Sequence, residues 1–145
     1  MIKVPPEVAI RSTIRLGSVY YFPEDSFQSL EPHYFIVLNT NPLEDEAIFL
    51  VCASSKINKV KQHRSTCPYE TLVEITPDQY AGFRVATIID CNNVFEKSID
   101  QLVDKLLREE LKLKSEMDIS IVEQLREGVI SSPLVEHHIK ALLQD

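Results

Sequence analysis

Two continuous apolar runs constrain this chain more than any other feature. Tyr34 to Leu38 reads YFIVL, and Ala47 to Ala53 reads AIFLVCA. Neither run alternates with polar residues, so each is expected to be a strand buried on both faces rather than one lying half in water. Between them Asn39 to Glu46 (NTNPLEDE) carries Asn-Pro and clustered acids, which punctuate strands, so the pair reads as a hairpin.

The rest of the first 97 residues also reads as β. Gly17 to Phe22 (GSVYYF) is aromatic and β-branched and stops at Pro23, and a polar loop follows to Glu31. Thr71 to Ile75 (TLVEI) and Ala86 to Asp90 (ATIID) are two further strands. Thr76-Pro77-Asp78-Gln79 has the pattern of a short helix start, ended by Gly82. Five short strands suggest a small barrel or a strongly bent sheet.

The last 48 residues read as helix. Ser98 and Gln101 stand at capping-box spacing before a stripe of Ile99, Leu102, Val103, Leu106 and Leu107. Ser120 and Glu123 repeat the box, with Gly128 as a plausible stop. Ser132-Pro133 is expected to open a final helix through Leu142 and Leu143. The expected class is α+β with a mainly β core. The expected division is an N-terminal segment 1–14, a barrel 15–97 and a helical extension 98–145 packed on it.

Charge narrows the functional classes. The net charge is -7, from 15 basic and 22 acidic residues, which argues against a whole surface that grips nucleic acid. The charge is uneven. Lys56, Lys59, Lys61, His63 and Arg64 fall in one short stretch without an acid, read as a loop. From Ser98 onward there are 6 basic and 10 acidic residues. A polyanion would therefore meet the protein at one place. No apolar run is long enough to span a membrane, and Glu7, Arg11 and Arg15 interrupt any signal-peptide core. Cys52, Cys67 and Cys91 are an odd set without a CxxC, which fits a reducing cytoplasm. With His63 they match no compact zinc-finger spacing, so no metal and no cofactor is expected.

Two polar places break the pattern. Ala53-Ser54-Ser55-Lys56 sets two hydroxyls and a cation at the end of a buried strand. Hydroxyls donate to phosphate oxygens and lysine neutralises them, so this end suits a phosphodiester. Asp90-Cys91-Asn92-Asn93 closes the last expected strand and reads as a turn.

In order and spacing these segments resemble the PemK/MazF-like toxins. Gly17-Ser18-Val19-Tyr20-Tyr21 looks like that family's opening strand, Tyr34 to Asn39 its buried strand ending in Asn, and Leu50 to Ser55 its next strand with a terminal hydroxyl pair. Ala86 to Asn92, running on to Ser98, is similar to its last strand and helix. The resemblance covers roughly residues 15–112. It implies an SH3-like β-barrel, usually dimeric, that cleaves single-stranded RNA without a metal and is neutralised by an antitoxin protein. Ser54 falls at the family's hydroxyl position, with Ser55 beside it. The family's arginine position falls in Leu30-Glu31-Pro32-His33, which holds no arginine. His33 is the nearest group able to move protons, either as base or as acid, and a strand-edge histidine is the competing reading. Lys56, Lys59, Lys61 and Arg64 are the expected RNA-backbone contacts. The alternative is a barrel of this kind that binds RNA or a protein without catalysis.

Overall fold

Pro5 and Pro6 set the first element. Proline fixes φ near the helical value and lacks a donor that the first helical turn leaves unpaired anyway. In the computed structural model, which describes residues 4–144, helix α1 spans Pro6–Thr13. Residues 1–3 of the expected N-terminal segment, and Asp145, lie outside the described residues. There follow β1 (Val19–Pro23), β2 (Pro32–Val37), β3 (Ile48–Ser54), α2 (Ile57–His63), a 3-10 turn (Tyr69–Thr71), β4 (Leu72–Ile75) and β5 (Thr87–Lys97). The chain ends with α3 (Ile99–Leu107), β6 (Lys112–Lys114), α4 (Ile119–Ser131) and α5 (His137–Leu143). No helix among the described residues is long and apolar enough to cross a membrane.

The class is α+β. Among the described residues the strands form one antiparallel sheet in the order β4-β5-β3-β2-β1-β6. The sheet is not closed. β6, from the segment expected to be purely helical, takes the free edge of β1 and pairs Val19 with Lys114. The ladder therefore ends at β4 and β6 instead of returning on itself.

The hairpin β2–β3 lies at the sheet centre and is covered on both sides, as its unbroken apolar sequence requires. Phe35, Val37 and Leu50 join Ile10 of α1, Tyr20 and Phe22 of β1 and Leu102 of α3 in one core. Ile36, Leu38 and Val51 join Val122, Leu125 and Val129 of α4 in the other. The turn between the strands is held by Asn39, fully buried, whose Nδ2 donates to Asp45 Oδ2 and Ala47 O, both at 2.9 Å. Its Oδ1 accepts from Phe49 N at 2.7 Å.

β5 bends. Val51 stands opposite Val94 while Ala53 stands opposite Ile89, so extra residues of β5 bulge between the two pairs. Asp90 to Asn93 are thus the bulge of a long strand, not the exit turn expected from their polarity. Asn92 within the bulge is well bonded: its Nδ2 donates to Thr71 Oγ1 at 2.9 Å, and Ser132 Oγ donates to its Oδ1 at 2.7 Å.

Several helix ends differ from expectation for local reasons. The basic stretch is a helix, because Ile57 and Val60 stand three apart and give it an inner side. Thr76 to Gln79 makes a turn, with Gln79 Oε1 accepting from Thr76 N at 2.9 Å, but no helix. The Ser98/Gln101 capping box is present. In α4 the cap is Asp118, whose side chain accepts from Ser120 N at 2.8 Å. Ser132 ends α4; its hydroxyl donates to Asn92 Oδ1 and accepts from Leu134 N at 3.1 Å in a turn, and α5 starts later, at His137.

Gly128 lies inside α4 rather than stopping it. A Cβ there would stand 2.8 Å from Glu70 O and 2.9 Å from Cys91 Sγ, so the missing side chain lets α4 approach β5. Alanine would gain about 1 kcal/mol of helix propensity. The overpacking costs about 1–3 kcal/mol, and backbone is one of the clashing partners. Gly128→Ala is expected to lower the urea midpoint of unfolding; an unchanged or raised midpoint would show that α4 can shift freely.

Candidate active site

The register of the central hairpin builds the site. Phe35 pairs with Cys52, and continuing that antiparallel register by two residues sets His33 opposite Ser54. Residues directly opposite share a face of the sheet. Here the apolar cover stops, and both residues are half-buried. They line one groove of about 680 Å³, together with Ser55, Lys56, Arg84 and Lys114. Glu31 alone adds negative charge to that lining among the described residues, so the groove is locally cationic in an acidic protein.

Each group has a defined hydrogen-bonding state. His33 Nδ1 lies 3.0 Å from Glu31 O. A carbonyl only accepts, so Nδ1 carries a hydrogen and the neutral ring keeps its free lone pair on Nε2. The edge of Phe27 packs on the imidazole at 5.1 Å between centroids. Ser54 Oγ accepts from Lys56 N at 3.1 Å, which leaves the hydroxyl hydrogen available to donate. On the opposite wall, Tyr34 packs on Phe83 at 5.2 Å and its hydroxyl donates to Gly82 O at 3.1 Å. Those contacts seat the loop 82–85 that carries the exposed Arg84. Lys114, on β6, stands 5.3 Å over the Tyr21 ring.

The expected residues divide. His33, Ser54, Ser55 and Lys56 come together. Lys59 lies on α2, beside a smaller hollow that it shares with Lys56 and His63. Lys61 is engaged by Glu74 at 2.9 Å, and Arg64 Nε donates to Asp90 Oδ2 at 2.8 Å. Arg64 thus ties α2 to the β5 bulge. Arg84 and Lys114 escaped the sequence reading, since each reaches the groove through tertiary contact and neither sits in a cluster. The alternation of Lys112-Leu113-Lys114 was the one available sign of an edge strand.

Burial keeps the Cys52 and Cys91 thiols protonated and so poor nucleophiles. Burial, and then the charge of Glu24, pushes the Cys52 thiol up to about 12, and burial raises Cys91 as well. Among the described residues no three of His, Cys, Asp and Glu are grouped as metal ligands. No protein-family model matches the chain, and no curated protein matches it.

Phe27 reaches His33 because the loop after β1 is pinned by charge. Glu24 and Lys97 are both nearly buried and form an ion pair at 2.6 Å. Ser26 Oγ donates to the other oxygen of Glu24 at 2.5 Å, and Phe27 N donates to Glu24 O at 3.0 Å. Burial alone would raise the Glu24 carboxyl, but Lys97 and Ser26 outweigh it and hold it below its ordinary 4.5. A carboxyl depressed by folding stabilises the protein above its unfolded value, and that contribution is lost as pH falls through the lower folded one. The melting temperature should therefore drop on acidification below pH 4.5, and Glu24→Gln should remove that part of the pH dependence. The same substitution should cost about 3 kcal/mol at neutral pH by leaving Lys97 unpaired. An unaltered acid limb in Glu24→Gln would refute the assignment.

Proposed function

We propose that the protein is a PemK/MazF-like endoribonuclease that cleaves single-stranded RNA without a metal, and that its bent sheet is a divergent, open SH3-like barrel. One observation carries the reading. A histidine and a serine on neighbouring strands share one groove with Lys56 and Arg84.

The chemistry follows from those groups. The RNA 2′-hydroxyl attacks the adjacent phosphorus, and His33 Nε2 takes its proton. The bond from phosphorus to the 5′-oxygen breaks, leaving a 2′,3′-cyclic phosphate. The departing oxygen takes a proton from the solvent in the open groove. Ser54 and Ser55 donate to the phosphorane oxygens, and Lys56 with Arg84 offsets their charge. The family's arginine is missing ahead of β2, and Arg84 supplies a guanidinium from the loop between β4 and β5. Its planar fork suits two phosphate oxygens at once. In this reading the protein works as a homodimer in the cytoplasm, restrained by an antitoxin protein.

A second reading keeps the groove but not the cleavage: an RNA- or protein-binding module. It is favoured by the pairing of Lys61 with Glu74 and of Arg64 with Asp90, which leaves fewer cations for a backbone clamp.

Purified protein incubated with short single-stranded RNAs and EDTA should yield fragments with cyclic phosphate and 5′-hydroxyl ends. His33→Ala should lower kcat by about 10²–10⁴. Arg84→Ala should lower it by on the order of 10². Intact RNA, together with binding that weakens with salt, would overturn the nuclease and establish the second reading.

A further inference from the structure

A second hollow opens beside the groove, on the side of His33 and Ser54 that faces Phe27. It measures about 210 Å³, and His33, Ala53 and Ser54 line both spaces. Its other walls are the rings of Phe27 and Phe95, Cys52, Val60 of α2, and Asp90 and Asn93 of the β5 bulge. Phe27 and Phe95 meet edge to face, with centroids 5.6 Å apart and planes at 83°, so they form an aromatic corner.

The polar groups of this slot differ in availability. Asp90 is spent, since one carboxylate oxygen accepts from Arg64 and the other from Asn92. Asn93 is exposed, and its side-chain amide makes no hydrogen bond among the described residues. The bulge explains this. It lifts Asn93 out of the β3–β5 ladder, so nothing in the sheet opposes it. An amide offers a donor beside an acceptor, the pattern that matches the edge of a nucleobase, while a ring corner accepts the base's flat face.

We propose that this slot binds one unpaired nucleobase of the substrate strand, stacked in the Phe27–Phe95 corner and read by the Asn93 amide. The inference rests on the reading of the groove as an RNA site. Its geometric warrant is the shared lining: a strand whose phosphate lies at His33 and Ser54 places a neighbouring base at the slot mouth. The slot thus confers base preference, while Lys56 and Arg84 confer affinity for any sequence.

The test uses single-stranded DNA, which lacks the 2′-hydroxyl and cannot be cut by the proposed route. Binding of short strands of dA, dC, dT, or alternating dG and dT is measured for the full chain. The wild type should prefer one of them. Val60→Trp fills the slot and should reduce binding of that strand by about tenfold or more, toward the level of the others. Asn93→Ala should narrow the preference without weakening the others, and it keeps the test valid if Val60→Trp fails to fold. Lys56→Gln should weaken all strands alike. Equal binding of every strand by the wild type, or a preference unaltered by Val60→Trp and Asn93→Ala, overturns the slot. RNA cleavage is scored in parallel. Cleavage with no base preference would sink the slot and spare the nuclease, whereas selective DNA binding by a protein that never cuts RNA would do the reverse.

Discussion

Burial of the β2–β3 hairpin on both faces is the condition that the other elements satisfy. A strand with no polar face cannot stand at a wet surface, and each large side chain sunk from water contributes about 1.5–3 kcal/mol. Phe35, Ile36, Val37, Leu38, Leu50 and Val51 are all fully buried. Covering one face takes α1 and α3, and covering the other takes α4 and α5. The helices of the last third therefore complete the core from opposite sides.

The groove forms where that cover ends. β2 begins with Pro32-His33 and β3 ends with Ser54, so the polar residues lie at the same end of two antiparallel strands. A rigid hairpin sets their spacing, and loops supply the rest: Phe27 from one side and Arg84 from the other. The loop bearing Phe27 depends on a nearly buried ion pair, and the loop bearing Arg84 depends on the Tyr34–Phe83 contact. The groove is thereby divided between stiff strands that hold His33 and Ser54 and pinned loops that hold Phe27 and Arg84.

What the sequence disclosed was local in origin. The five strands of the first 97 residues stand out through composition and turn residues, and Ser54, Ser55 and Lys56 are conspicuous because they follow a buried run at once. His33 was found only as the nearest proton carrier to an absent arginine. Arg84 and Lys114 stayed hidden because a lone cation in a loop or edge carries no periodic signal. The polar run Asp90 to Asn93 misled for the opposite reason: Asp90 and Asn92, which look like part of a turn, are spent on Arg64, Thr71 and Ser132 across the fold. The open sheet was equally beyond reach, since β6 has only three residues and owes its place to pairing with β1.

That three-residue strand has a consequence for the order of events during synthesis. Lys114 enters the groove by virtue of its pairing beside β1, and the Gly17 carbonyl accepts from Met117 N. During synthesis the N-terminal residues leave the ribosome first, and a domain folds as a unit. A nascent chain that has released the hairpin and β5 still has a bare margin along β1 and an unfinished cleft. The complete surface exists only after residues 112–117 have emerged.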